Sequence, residues 1–234
     1  MKMLRNIAIC LLCLVPAGTL GAEVIDGVIV TVNRRPVLRS EWDDAVRFEA
    51  FMSRKPLGQV TETERVGALQ RLIDRRLLEM QMNDANYLAP QAEEVRTNVR
   101  ALRAEMPAAG TEQGWQDLLA SYGFSERDIE ANVRSQKQVM NFVEVRLRPN
   151  VHVQPEEVQA YYRNQVVPDM EKAGVQVVTL EELEPKIREL LVQQHIDVLL
   201  DAWMHNLRQQ AEIHSSIPLQ PTPSSTGQEE AGGN

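Results

Sequence analysis

Val24-Ile25-Asp26-Gly27-Val28-Ile29-Val30-Thr31-Val32-Asn33 is the clearest strand of the chain, and its reading decides how the rest is assembled. Val24, Val28, Val30 and Val32 share one parity and Ile25 and Ile29 the other, the period-two pattern of a pleated backbone. Asn33-Arg34-Arg35-Pro36 is a turn-like break, after which Val37-Leu38 returns as a short second strand. Far along the chain, Ile213 to Ile217 reads as a last strand. Almost everything between reads as helix. The economical closure is a mainly α fold: a helical body carried by a small antiparallel sheet that joins the N- and C-terminal strands.

The helices announce themselves by caps and stripes. Ser40 with Asp43 opens a first helix running to about Ser53, and Pro56-Leu57-Gly58 follows it. Thr61-Glu62-Thr63-Glu64 caps a second that extends to about Asn86, with Val66, Leu69, Leu72, Ile73, Leu77 and Met80 recurring at three and four. Pro90 sits near the first turn of a third, ending around Met106-Pro107, and Thr111 starts a short one with Trp115, Leu118 and Leu119. Gly123 suits a left-handed stop. Ser125 with Asp128 opens a long helix to about Leu147, whose stripe Ile129, Val133, Gln136, Met140, Val143, Leu147 has Gln136 as its one polar member. Val151 to Val153 is a strand candidate, Pro155 begins a helix through Tyr162, and Val175 to Val178 is a weak strand candidate. Thr179 caps a last helix to about Gln210, roughly 45 Å long, lined by Leu183, Ile187, Leu190, Leu191, Val198, Leu199, Trp203 and Leu207. These segments make about seven helices and no internal repeat.

The chain has 234 residues and a formal charge of −8, which disfavours a nucleic-acid partner because phosphates need a basic face. Aromatics are only 5%, against a β-sandwich or a stacking platform. Residues 1–22 read as a secretory signal: Lys2 and Arg5 form the charged n-region, Ile7 to Val15 an apolar stretch too short to span a membrane, and Ala22 a small residue at the cut. An uncleaved anchor is the alternative. Cys10 follows Ile9 and Cys13 follows Leu12, which does not fit a lipoprotein signal. Both cysteines lie in this segment, so the mature domain, 23–217, is expected to hold none and to rely on its packed core. Residues 218–234, rich in Pro, Ser and Gly, are expected to be a disordered tail. An acidic, cysteine-free, exported chain with no further apolar run of spanning length fits a soluble periplasmic protein.

Catalytic chemistry is sparse. His152, His195, His205 and His214 form no metal-binding spacing, and His195 and His205 lie about three turns apart on one helix. There is no nucleophile elbow and no Gly-rich phosphate loop. Asp43-Asp44 and Glu93-Glu94 are adjacent pairs, which do not face each other on a helix. No catalytic residue, metal or cofactor is assigned. The first helix, by contrast, is apolar over too wide an arc. Trp42, Ala45, Val46, Phe48, Phe51 and Met52 cover about 220° at 100° per residue, where one-sided burial needs little more than about 100°. The surplus must be sandwiched by other helices or offered to a ligand. On the second reading Trp42, Phe48, Phe51 and Met52, with Trp115 and Phe124, are the candidate peptide-binding residues.

The order of motifs resembles the N-terminal domain of the SurA-like periplasmic chaperones. The resemblance rests on Val24 to Asn33 followed by Val37-Leu38-Arg39-Ser40-Glu41, on Leu72-Ile73-Asp74-Arg75-Arg76-Leu77-Leu78, and on Tyr122-Gly123-Phe124-Ser125-Glu126. Val153-Gln154-Pro155-Glu156-Glu157-Val158 with Tyr161-Tyr162 is similar to the helix that precedes a parvulin domain in such proteins, and the helix with Trp203 and Leu207 to the segment that follows it. Only Val166 to Val178 separates the two here, far less than a catalytic domain requires. The resemblance therefore implies the chaperone module without the isomerase. It would be an ATP-independent holdase for unfolded polypeptides, outer-membrane protein precursors in particular, and not an enzyme. A dedicated envelope-assembly partner and a diverged prolyl isomerase are the alternatives. Exchange of terminal strands or of the last helix would make a homodimer, though no residue pattern requires it.

Overall fold

The computed structural model describes residues 26–82 and 89–220. The residues read as a signal, the first two residues of the long strand motif, the expected end of the second helix near Asn86 and most of the expected tail lie outside the described residues. Three strands, β1 (Val28–Val32), β2 (Arg35–Leu38) and β3 (Ile213–Ser215), form one antiparallel sheet in the order β2-β1-β3. The helices are α1 (Arg39–Met52), α2 (Glu62–Gln81), α3 (Ala92–Ala104), α4 (Glu112–Ser121), α5 (Glu126–Leu147), α6 (Pro155–Tyr161), α7 (Val167–Lys172) and α8 (Leu180–Gln210). A π-helical turn, Tyr162–Val166, joins α6 to α7 without a break, so the expected seven helices are present when that pair is counted as one. The fold is mainly α with a small antiparallel sheet, as the pattern of caps and stripes implies.

The sheet begins with a two-residue hairpin. Val32 pairs with Arg35, so Asn33 and Arg34 form the turn, at φ 47° and 67°. Positive φ at both positions is what the right-handed twist of a hairpin demands, and asparagine tolerates it. Pairing slips between Val28 and Val30. The resulting bulge turns Ile29 and Val30 both inward and leaves Val28 half exposed, although Val28 shares the parity of Val30 and Val32. β3 then closes on the other edge of β1. Asn33 N–H donates to Glu212 O at 2.9 Å, Glu212 N–H to Asn33 Oδ1 at 2.8 Å, and Ser216 N–H to Ile29 O at 2.9 Å.

Local chemistry accounts for most helix boundaries. Thr61, Thr111, Ser125 and Thr179 cap α2, α4, α5 and α8 as expected. Ser40 does not cap α1. The cap is Leu38, whose N–H donates to the Glu41 carboxylate at 2.9 Å, while Ser40 bonds back to Asp26. The strand occupies the backbone up to Leu38, so the helix starts at once. α4 ends in a Schellman turn: Phe124 N–H donates to Leu119 O and Gly123 N–H to Ala120 O, with Gly123 at φ 75°. Val151–Val153 and Val175–Val178 are not strands. Both are extended connections without a ladder partner, the second held by Tyr162 Oη donating to Val178 O at 2.8 Å. Residues 218–220 are not loose: Leu219 packs on the core and its carbonyl accepts from Gln70 Nε2 at 2.7 Å.

The core runs through the molecule as a chain of clusters. Sheet, α1, α2 and the end of α8 share one, built on Val30, Val32, Val37, Leu69 and Ile73. The far half of α1 shares another with α3, α4 and the start of α5. The last helix corrects its expected single stripe. Ile187 and Leu191 pack on Val158 of α6, whereas Ile196, with Leu199, Trp203 and Leu207, packs toward α2 and α5 on the roughly opposite face at 100° per residue. Leu190 and Val198 consequently stand exposed at 42% and 68%. A helix gripped on opposite faces along its length cannot have one stripe.

A Cβ at Gly114 would stand 2.3 Å from the backbone oxygen of Ala108. Gly114→Ala should lower stability by about 1–3 kcal/mol through overpacking, read by urea denaturation. At the start of α2, the Glu64 carboxylate accepts from Lys55 Nζ at 2.6 Å and from Thr61 N–H at 2.8 Å, and these bonds hold its pKa down at about 2. A carboxylate depressed on folding stabilises above its unfolded pKa and loses that contribution as pH falls through the folded one. The gap in melting temperature between wild type and Glu64→Gln should therefore be full above pH 4.5 and close toward pH 2 in thermal scans.

Candidate functional site

The surplus apolar arc of α1 is sandwiched. Phe48 and Phe51 pack against α3, α4 and the start of α5. Phe51 meets Tyr122 with ring centres 5.6 Å apart and Trp115 at 6.1 Å, and Phe48 meets Phe124 edge-on at 6.2 Å. Trp42 lies in the other cluster, its indole N–H donating to Arg65 O at 2.8 Å under the Arg65 guanidinium. Trp42, Phe48, Phe51, Trp115 and Phe124 are thus all buried, and of the six candidates only Met52 is open, at 45%. These aromatics hold the fold and are brought together as core, not as an open peptide surface.

One edge of that core does reach solvent. Phe48 and Ala45 of α1 form part of a groove whose walls are α2 (Ala68, Leu72, Leu78) and α5 (Val139, Met140). Its volume is about 370 Å³, enough for a few large side chains. α1 and α2 pack closely, while α5 is pulled away toward α3 at one end and toward α8 at the other. The two long helices are therefore held apart over their middle, with α1 between them. The groove is where the α5 stripe leaves the core. Ile129, Val143 and Leu147 are buried, but Met140 is 62% exposed and Gln136 is exposed beside it.

The rim is charged but neutralised. Arg71 pairs with Glu49 (Nε to Oε1 2.7 Å), Asp74 with Arg208 at 2.5 Å, and Arg75 with Glu79 at 3.8 Å. Such pairs at the surface add little stability, yet they leave no uncompensated charge to favour a charged ligand. Sequence reading missed Leu72 and Met140 as site residues because each fits a core stripe, and Leu78 and Val139 because they flank those stripes. The available signal was Gln136, a polar residue at a position that a fully buried stripe would make apolar.

Other hollows are less suited to binding apolar groups. A mixed one of about 480 Å³ sets Val46, Leu57 and Val60 beside the ion pairs of Asp43 with Arg65 and Asp44 with Arg47. His152 and His195 line a shallow one beside Val198, with His195 3.4 Å from Glu157. His205 lies beside Gln209 and His214 beside Glu212. Among the described residues no group of three or more His, Cys, Asp or Glu is placed to hold a metal, and no helix is long and apolar enough to cross a membrane. Comparison with known proteins finds no matching family model and no matching curated relative.

Proposed function

We propose that the protein is an ATP-independent holdase of the bacterial periplasm that binds unfolded polypeptides, with outer-membrane protein precursors as its principal clients. The open apolar groove between α1, α2 and α5 carries this reading. Its lining is apolar over a neutral rim, so it favours side chains that a folded protein would bury. Met140, unbranched and exposed, adapts to side chains of different shape. The signal-like residues 1–22 and the absence of cysteine after Cys13 support export to the periplasm.

The energetics suit a chaperone that works without ATP. Burying one large apolar side chain contributes about 1.5–3 kcal/mol. Three such side chains contribute about 5–9 kcal/mol before the cost of ordering the client is subtracted, so the groove holds a client no more tightly than the roughly −8 kcal/mol of a micromolar complex. Complexes of that strength release their clients spontaneously.

Light scattering of a urea-unfolded porin diluted into buffer tests the proposal. The purified protein should suppress aggregation near stoichiometric amounts. A Leu72→Asp, Met140→Asp variant, checked for native helix content by circular dichroism, should lose most of that effect. If wild type fails on several unrelated unfolded clients, the general holdase reading falls and a dedicated envelope-assembly partner replaces it.

A further inference from the structure

We infer that Asn132 and Gln136 are the specificity-determining residues of the groove, and that they select an extended, uncharged segment by hydrogen-bonding its main chain. The inference rests on the holdase reading and names the form in which the client is held.

Asn132, Gln136 and Met140 follow one another at four-residue intervals along α5, and all three line the groove. Gln136 is exposed and its amide has no hydrogen-bond partner among the described residues. Asn132 donates its Nδ2 to Asp128 O at 2.9 Å, which turns its amide toward the helix backbone and leaves the Oδ1 lone pairs unused. A purely apolar groove would suit an amphipathic helix, whose backbone is already satisfied. Side-chain amides carry a donor and an acceptor, the complement of a peptide unit. Four helical residues rise about 6.0 Å, and two residues of an extended chain advance about 6.6 Å. The two amides are therefore spaced to meet every second peptide unit of a strand-like segment. Alternate side chains of that segment would then face Leu72, Met140 and Phe48.

The charge pattern favours the same occupant. Glu49, Arg71, Asp74 and Arg75 are two acids and two bases, each with an ion-pair partner. The groove thus has nothing to offset a charge on its ligand, and a neutral segment is the complementary one. Beyond Asn132 the adjoining hollow is lined by Asp44, Arg47 and Asp128, so the uncharged groove ends there.

Fluorescence anisotropy with two labelled probes tests this. One is a decapeptide of alternating valine and threonine; the other is a hydrocarbon-stapled amphipathic helix of matched apolar content. Wild type should bind the extended probe more tightly than the stapled one. Gln136→Leu, which keeps the wall apolar, should weaken the extended probe about fivefold to tenfold, the worth of one main-chain hydrogen bond. It should leave the stapled helix unchanged. Methylating every second amide nitrogen of the extended probe should weaken wild type by a similar factor and Gln136→Leu much less. Equal binding to wild type and Gln136→Leu, with Leu72→Asp abolishing it, would overturn the amide role and keep the groove. Tighter binding of the stapled helix would overturn the extended form. A dimer in sedimentation that Leu72→Asp dissociates would mean that a second copy fills the groove, overturning a client there. No binding of either probe to wild type would overturn the holdase reading and this inference with it.

Discussion

The pairing of β1 with β3 is the contact on which the remaining architecture depends. It joins residues nearly the whole described chain apart: Val30 opposite Ser215, and Val32 opposite Ile213. Asn33 contributes at both levels. Its backbone takes the left-handed turn of the hairpin, its N–H donates to Glu212, and its side chain accepts from the N–H of the same residue. Closing so long a loop costs chain entropy that grows only slowly with its length, and the buried valines and isoleucines of the sheet offset it. With β3 in place, the end of α8 lies against α2, where Arg208 grips Asp74 and Gln70.

The position of α8 sets the spacing of the other long helices. Its last turns belong to the sheet cluster, its middle to the cluster shared with α5, and its first turns to the hairpin with α6. It is gripped on one face by α6 and on the opposite face by α2 and α5, through three buried residues, Ile187, Leu191 and Ile196. The π turn before Pro168 serves this outer hairpin. Proline has no N–H to donate, and the widened turn, in which Val167 N–H reaches back to Tyr162 O, sits immediately before it. The groove is a by-product of these commitments. α5 must reach α3 and α4 with Ile129 and α8 with Val143 and Leu147, so its middle stands away from α2.

Legibility followed the range of the forces involved. Caps at Thr61, Thr111, Ser125 and Thr179 and the stop at Gly123 depend on a few neighbouring residues and could be read directly, whereas the break read over Asn33 to Pro36 is only the two-residue turn Asn33-Arg34, Arg35 and Pro36 being drawn into β2 by pairing with β1. Ser40 misled because a cap pattern competes with a strand that ends only at Leu38. The short apolar runs at Val151 and Val175 have strand composition but no neighbouring strand to bond, and composition cannot supply one. For the site, the wide arc of α1 was a correct signal of two-sided contact. Whether the second contact was a ligand or another helix depended on α4 and α5, which place Trp115, Tyr122 and Phe124 against Phe51 and Phe48.

By itself the sequence determined the helical class, the joining of the two ends in a sheet and the boundaries set by local hydrogen bonding, because these rest on periodicity and short-range chemistry. Tertiary structure alone decided that five of the six candidate residues are core, that α8 changes its buried face, and that Leu72, Val139 and Met140 border an open groove. Exposure is a property of what packs against a residue. The stripes of α2 and α5 are core where another helix covers them and groove where the long-range closure of the chain leaves them open.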